Sequence, residues 1–137
     1  MEKVFVDTDI VLDLLAQRQP NYLFAAHLFT LADKGKVTLS VSALTFGNLH
    51  YILAKEFTNK KARQILTRFK VLVKILSVDD KIIELALASN FSDFEDAIQY
   101  YTTIENNITT LLTRNLKDYK TAEISVRTAE DYVKTSA

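Results

Sequence analysis

Two polar positions of this sequence follow short strand-like runs, at the points where buried strands would end. Asp7 comes directly after the apolar triplet 4–6, and Asn115 comes shortly after the run Thr109–Leu112. In a parallel sheet the carboxyl ends of the strands meet at one edge, and ligands bind there. We therefore expect Asp7 and Asn115 to lie close together and to form part of one site.

A second group of acids is the segment Ser92–Asp96, which places Asp93, Glu95 and Asp96 within four positions. Ser92 and Glu95 have the spacing of a capping box, which accounts for Glu95 at the start of a helix. Asp96 lies beyond the box and shares a helix face with Asp93. Because like charges this close are unfavourable unless a cation neutralises them, we predict a functional role for Asp96.

Asp9 and Asn48 each have two interpretations. Asp9 either caps a helix that starts at Ile10 or joins Asp7 in the site. Asn48 lies on one helical stripe with Leu44 and Ile52, so its amide needs a partner. It is either a buried amide satisfied by the backbone or a member of the site.

The remaining polar groups near Asn115 complete the predicted chemistry. Thr113 and Arg114 are predicted to contact a phosphate oxygen, whereas His27 and His50 lie among apolar or aromatic neighbours and are predicted to be packing residues. Carboxylate and amide oxygens suit Mg²⁺ or Mn²⁺ and, without cysteine or histidine, do not suit zinc. The sequence thus indicates metal-assisted hydrolysis of a phosphoester.

The elements that must position these residues alternate between short strands and longer helices, which predicts an α/β fold with a mainly parallel sheet. The strands are predicted at Lys3–Val6, Val37–Val41, Val71–Val78, Thr109–Leu112 and Ile124–Val126. The helices are predicted at Ile10–Gln17, Asn21–Lys34, from the cap Ser42 to Phe57, Asn59–Lys70, Asp79–Ser89, Phe94–Asn106 and Thr128–Thr135. Gly35 is predicted to end the second helix. No linker or repeat divides residues 1–137, so one domain is expected.

Composition excludes several classes of protein. With 48% hydrophobic residues the chain is not a disordered polymer, and it has no apolar run near the ~18 residues of a membrane span. Two glycines leave no phosphate-binding loop of the P-loop or dinucleotide type. The absence of cysteine and of a signal-peptide pattern favours the cytoplasm.

Charge is segregated although the net charge is zero. Residues 54–74 carry seven basic side chains and one acid, a net charge of +6, and residues 79–106 carry seven acids and one lysine, a net charge of −6. These two segments are either two solvated helix faces of opposite charge, or the acidic centre and the basic flank of an enzyme that binds a polyanion.

Three segments together resemble the PIN domain family of nucleases, which includes the toxins of VapC-type toxin–antitoxin pairs. They are residues 4–9, 93–100 and 113–119, in that order and spacing. The resemblance covers nearly the whole chain. It implies a three-layer α/β/α fold, cleavage of RNA that depends on Mg²⁺ or Mn²⁺, a homodimer and an antitoxin partner.

The resemblance also assigns roles to residues. Asp7 and Asp96 match two of the acids that hold the metal in the family, and Asn48 and Asn115 stand where many members carry a glutamate and an aspartate. Catalysis is then expected to involve Asp7, Asn48, Asp96 and Asn115. Because two negative charges are lost, further ligands are sought among the nearby acids, which are Asp9, Asp93 and Asp118.

Two other functions remain open at this stage. Asp7-Thr8-Asp9 after an apolar strand also resembles haloacid-dehalogenase-type phosphatases, in which the first aspartate is a covalent nucleophile. Alternatively, the two asparagines indicate a PIN fold with weakened catalysis, whose main role is to bind RNA or a protein. Such a binder would hold RNA with or without Mg²⁺, whereas a nuclease would cut it only with metal.

Overall fold

The five strands form a single parallel sheet with β1 at its centre. A computed structural model describes residues 1–136 and orders the strands β3-β2-β1-β4-β5, every adjacent pair being parallel. The strands are β1 (Glu2–Val6), β2 (Val37–Ser42), β3 (Lys74–Leu76), β4 (Thr110–Leu112) and β5 (Ser125–Arg127). The chain builds outward from β1 to β3 and then returns to place β4 on the other side of β1. The switch point where ligands bind in such sheets therefore lies between β1 and β4.

Helices connect the strands and cover the sheet. They are α1 (Thr8–Leu15), α2 (Tyr22–Asp33), α3 (Ala43–Glu56), α4 (Asn59–Phe69), α5 (Asp80–Leu87), α6 (Phe94–Glu105) and α7 (Ala129–Thr135). Two short 3₁₀ helices lie at Lys70–Leu72 and Leu116–Tyr119. Within residues 1–136, no helix is both long enough and apolar enough to cross a bilayer.

Alternation along the strands creates a core on each face of the sheet. Val4 and Val6 of β1 pack into a cluster with residues of α1 to α4 and α7, whereas Phe5 between them packs with Tyr100 of α6 on the opposite face. All three β1 residues are fully buried. Successive side chains of a strand point to opposite faces, so this division shows a three-layer α/β/α arrangement and confirms the predicted fold class.

The extent of the third strand and the start of the first helix were predicted wrongly, whereas the glycine at the end of the second helix was predicted correctly. The third strand is limited to Lys74–Leu76, because the backbone continues from α4 into the 3₁₀ helix Lys70–Leu72 and only residues 74–76 pair with β2. The first helix starts at Thr8, two residues earlier than predicted, since Asp7 and not a later residue is its N-cap. Lys34 caps α2, and Gly35 follows it with a left-handed φ of 72°.

A buried amide ties four elements together at the carboxyl edge of the sheet. Gln99 of α6 is 2% exposed. Its Oε1 accepts a hydrogen bond from Ser42 Oγ at the end of β2 (2.6 Å). Its Nε2 donates to Thr45 Oγ1 of α3 (2.9 Å) and lies 3.3 Å from Thr8 Oγ1 of α1. Because a buried amide is costly unless it is satisfied, these bonds fix the position of α6 relative to β2, α1 and α3.

We expect Gln99→Ala to lower the free energy of unfolding by about 2–4 kcal/mol, because it leaves a cavity and removes one partner each from the buried hydroxyls of Ser42 and Thr45. Chemical denaturation monitored by circular dichroism measures the change. The matched control is Gln64→Ala on the exposed face of α4, which is expected to change stability by less than about 0.5 kcal/mol. A Gln99→Ala variant as stable as the control would show that the amide does not hold these elements together.

Candidate active site

A cavity of about 450 Å³ opens at the carboxyl edge of the sheet, above the ends of β1 and β4. We call it the carboxylate cavity. Its lining combines three aspartates and a glutamate with polar and apolar side chains, namely Asp7, Thr8, Asp9, Leu12, Asn48, Tyr51, Ile52, Glu95, Asp96, Gln99 and Asn115. The volume falls within the ~300–1,000 Å³ range of small-ligand sites and is far larger than one ion needs.

Asp7 is the most enclosed acid of the cavity. It is 7% exposed, and its backbone nitrogen donates to the carbonyl of Leu112 (2.9 Å), which continues the pairing of β1 with β4. Its Oδ1 accepts from the Thr8 nitrogen (2.8 Å), and its Oδ2 accepts from Thr113 Oγ1 (3.0 Å) and Tyr119 Oη (3.1 Å). Burial, and then the charge of Asp9, raises the pKa of Asp7 to about 6 despite these hydrogen bonds.

Asp96 reaches the same cavity from the first turn of α6. Asp93 caps this helix by accepting from the Asp96 nitrogen (2.9 Å). The Tyr119 hydroxyl lies 3.5 Å from Asp96 Oδ1 as well as 3.1 Å from Asp7 Oδ2, so both carboxylates border one phenol. Burial, followed by the charges of Asp7, Asp93 and Asp118, raises the pKa of Asp96 to about 7. The predicted meeting of Asp7 and Asp96 is therefore present in the structure.

Asp9 is held by the segment that follows β4. Its Oδ2 accepts from the backbone nitrogen of Arg114 (3.0 Å), from Thr113 Oγ1 (3.3 Å) and from Asn115 Nδ2 (3.4 Å). Its Oδ1 is buried and has no hydrogen-bond partner among residues 1–136. Burial raises the pKa of Asp9, and the Arg114 bond and charge oppose the rise. The capping interpretation of Asp9 was wrong, because Asp7 caps α1 and Asp9 lies in its first turn.

Thr113 and Arg114, which were predicted together as phosphate contacts, have different surroundings from each other. Thr113 is fully buried, and its hydroxyl donates to carboxylate oxygens of Asp7 and Asp9. Because it is fully buried, this hydroxyl orients the acids and is not open to a substrate. Arg114 is exposed, and its Nε lies 2.9 Å from Oδ2 of the buried acid Asp13. The pKa of Asp13 is raised by burial and lowered by Arg114, so the guanidinium offsets part of the cost of burying this acid.

Asn48 lines the cavity from α3. Its Nδ2 lies 3.3 Å from Glu95 Oε2 of α6. The partner of this amide is therefore a carboxylate, and the interpretation of Asn48 as a backbone-satisfied core residue was wrong. The capping box of Ser92 and Glu95 was also wrong, since Asp93 caps the helix and leaves Glu95 free to face Asn48.

Asp93 and Asp118, both predicted as metal ligands, do not line the cavity. Asp93 is exposed and acts as a helix cap, and Asp118 is half-buried beside Tyr119. Their charges lie close enough to raise the pKa of Asp96. Of the two histidines, His50 is half-buried as expected for a packing residue, whereas His27 is exposed, so the packing prediction was wrong for it.

Sequence reasoning did not find Gln99, Tyr119 or Tyr51 as parts of the site. Tyr119 is 3% exposed, and burial and the charge of Asp7 raise its pKa, so the phenol stays protonated and can donate to the acids. Gln99 and Tyr119 follow no strand end and show no local pattern. Their partners lie far away in the sequence. The only signal for them was their place in the segments that resemble the PIN family, since Gln99 lies in 93–100 and Tyr119 ends 113–119.

The cavity suits a divalent cation. Among residues 1–136, no group of three His, Cys, Asp or Glu side chains is arranged as a ready-made ligand set. Mg²⁺, however, is commonly held by one or two carboxylates with water in the other positions. Asp7 and Asp96 supply two carboxylates that are costly to ionise without a cation, and Asp9 adds a buried oxygen without a partner. The chemistry of these donors therefore fits a hard cation.

Comparison with known proteins identifies the family. Residues 3–117 match the model of the PIN domain. The chain is 30% identical to the protein named Ribonuclease VapC1 of Aquifex aeolicus (strain VF5), over 96% of this chain and 93% of that protein. Its fold is similar to DNA-bound VapBC from Salmonella typhimurium (TM-score 0.72, 14% identity, 94% and 99% of the two chains). It is also similar to VapC20 of Mycobacterium tuberculosis, a sarcin-ricin loop cleaving toxin (TM-score 0.63, 17% identity, 79% and 86%). The chain belongs to the PIN domain family.

Proposed function

We propose that the chain is a divalent-metal-dependent endoribonuclease that acts as the toxin of a toxin–antitoxin pair. The observation that supports this most directly is the pairing of Asp7 and Asp96 around one phenol in a cavity at the switch point of the sheet. The relative from Aquifex aeolicus, which matches nearly the whole chain, is named a ribonuclease. Family membership also removes the haloacid-dehalogenase-type phosphatase from consideration.

Asp7 and Asp96 are the proposed metal ligands, with Asp9 as the third acid of the site. Mg²⁺ or Mn²⁺, when bound, would neutralise phosphate charge, activate water and stabilise the negative charge that develops on the phosphate and leaving oxygens. The remaining residues prepare the carboxylates for this task. Thr113 and Tyr119 donate to Asp7 Oδ2 and so fix the rotamer of Asp7, and Asn115 and the Arg114 nitrogen fix Asp9. Arg114, exposed at the rim, is the proposed contact to a substrate phosphate.

The proposed substrate is RNA, and the proposed partners are an antitoxin and a second copy of the chain. The acidic cavity alone would repel a polyanion, but α4 presents a basic surface formed by Lys60, Arg63 and Arg68. A separated basic surface of this kind attracts nucleic acid. Structural neighbours include toxin–antitoxin complexes from Salmonella typhimurium and Klebsiella pneumoniae, which supports the antitoxin proposal.

The amides at Asn48 and Asn115 favour a second candidate, a PIN-fold protein that binds RNA but cleaves it poorly. Both residues line the cavity, and neither contributes a negative charge. A titration with Mg²⁺ separates the candidates. A nuclease cleaves RNA only when the metal is added, whereas a binder holds RNA uncut at every metal concentration.

We expect Asp7→Asn and Asp96→Asn each to lower Mn²⁺-dependent cleavage of RNA at least about 100-fold, because each removes a carboxylate from the metal and a negative charge from the site. Gel analysis of a labelled RNA pool measures the loss. The control is Asp33→Asn, which changes an exposed acid at the end of α2 and is expected to cleave normally. Cleavage undiminished in both site variants would remove the assignment.

Metal-free stability is expected to fall as pH rises. The folded pKa values of Asp7 and Asp96, about 6 and about 7, exceed the unfolded value near 3.8, so the folded state binds more protons between these limits. The free energy of unfolding therefore decreases from about pH 4 to about pH 7. The decrease is smaller than the full pKa shifts imply, because solvent screens the half-exposed Asp96. Thermal melts in EDTA measure the decrease, and Mg²⁺ should reverse it above about pH 7.

Asp96→Asn serves as the matched variant for this measurement, because it removes one of the two titrating groups. It is expected to flatten part of the pH dependence and to weaken the stabilisation by Mg²⁺. A metal-free protein whose stability does not change across this range would contradict the electrostatic description of the cavity.

Asn48→Glu is expected to strengthen metal binding and raise activity, since it adds a carboxylate to the cavity. Because Glu95 lies beside this position, the same variant should be less stable than the wild type when metal is absent. Melting temperatures with and without Mn²⁺ measure both effects, and Asn48→Gln is the uncharged control. A loss of metal affinity in Asn48→Glu would count against the idea that the asparagine weakens the site.

A further inference from the structure

The carboxylate cavity has an apolar wall that metal binding does not explain. Tyr51 and Ile52 of α3, with Leu12 of α1, line the cavity together with the acids. Tyr51 is 62% exposed, although it is a large aromatic residue in the middle of a long helix. The proposed ligands are all on β1, α1 and α6, so nothing in the metal chemistry requires an exposed ring at this place.

Tyr51 lies on α3 close to the part of the cavity that contains the acids. Thr45, which is bonded to Gln99, lies at the start of α3, and Asn48 lies almost one turn further on. Tyr51 follows Asn48 by three residues and is therefore on the same face of the helix, about 9 Å along the axis from Thr45. Asn48 contacts Glu95, the neighbour of Asp96, so Tyr51 lies about one helical turn from the acids and lines the same cavity. A nucleotide next to a phosphate bound at the carboxylates could reach it.

A positive charge accompanies the ring. Lys55 Nζ lies 4.3 Å from the centroid of Tyr51, a cation–π contact that orients the tyrosine. The cation lies over one face, and the large exposed fraction leaves ring surface available to a ligand. An aromatic surface next to a lysine is the combination with which proteins bind single-stranded nucleic acid, since bases stack on the ring while the cation attracts phosphate.

We propose that Tyr51 is a stacking platform for an unpaired nucleobase adjacent to the scissile phosphate, with Lys55 as the cation beside it. The inference rests on the proposed function, because it requires an RNA strand in the cavity. Two observations favour a base over a segment of protein as the occupant. Tyr51 lines the same cavity as the carboxylates that are proposed to act on the phosphate. Lys55 also adds a positive charge complementary to the RNA backbone. Stacking tolerates every base, so Tyr51 contributes affinity and position rather than sequence preference.

The test compares RNA with a strand that has no bases. Fluorescence anisotropy measures the Kd of a labelled single-stranded RNA of mixed sequence, and of an abasic ribose-phosphate strand of the same length, for the full chain in Ca²⁺. Tyr51→Ala is expected to weaken binding of the RNA about 5- to 100-fold and to leave binding of the abasic strand unchanged. Tyr51→Phe keeps the ring and is expected to bind RNA within about twofold of the wild type.

Phe57→Ala is the matched control, since Phe57 is an exposed aromatic residue at the end of the same helix and does not line the cavity. It should leave both affinities unchanged. The proposal would be overturned if Tyr51→Ala bound RNA as tightly as the wild type, or if it weakened binding of RNA and of the abasic strand equally. The ring would then serve a protein partner or the stability of the fold. Failure of the wild type to cleave RNA in Mg²⁺ would instead remove the proposed function, so the two failures are distinguishable.

Discussion

The cost of keeping carboxylates ionised in a partly closed cavity is the constraint on which this site depends. Burial raises the pKa of Asp7 to about 6 and that of Asp96 to about 7, although Asp7 accepts three hydrogen bonds. Hydrogen bonds therefore position the acids but do not remove the unfavourable charge. Arg114 offsets only the acids next to it, Asp9 and Asp13. A divalent cation would supply the missing charge, which links the electrostatics of the site to its chemistry.

The fold supports this unfavourable arrangement through contacts that lie just outside it. Strand β1 is buried on both faces, so the position of Asp7 is set by the sheet and not by a flexible loop. Gln99 fixes α6 against the end of β2, and thereby places Asp96 opposite Asp7. Tyr119 then bridges the two acids from the 3₁₀ helix that follows β4. Elements far apart in the sequence thus oppose the repulsion that would otherwise separate the carboxylates.

What the sequence predicts depends on whether the signal is local. The α/β class, the parallel sheet and the meeting of Asp7 with the β4 end follow from alternating periodicity and from the strand-end rule, and the structure confirms them. The third strand was predicted too long, because an apolar run does not reveal where a neighbouring strand stops pairing. Glu95 was assigned to a helix cap that Asp93 in fact provides. Gln99 and Tyr119 could not be predicted, since their roles exist only after distant elements have packed.

Helix α3 shows how one element can serve two parts of a reaction. Its first turn is polar and buried, where Thr45 helps Gln99 to hold the acids. In its middle turns the helix is more exposed to solvent, and Asn48 and Tyr51 line the cavity there. Because the axis advances 1.5 Å per residue, the change from the buried Thr45 to the exposed Tyr51 occurs over about 9 Å. In the proposed complex with RNA, this one helix would relate the place where a base stacks to the acids that act on the phosphate, so misplacement of α3 would affect both.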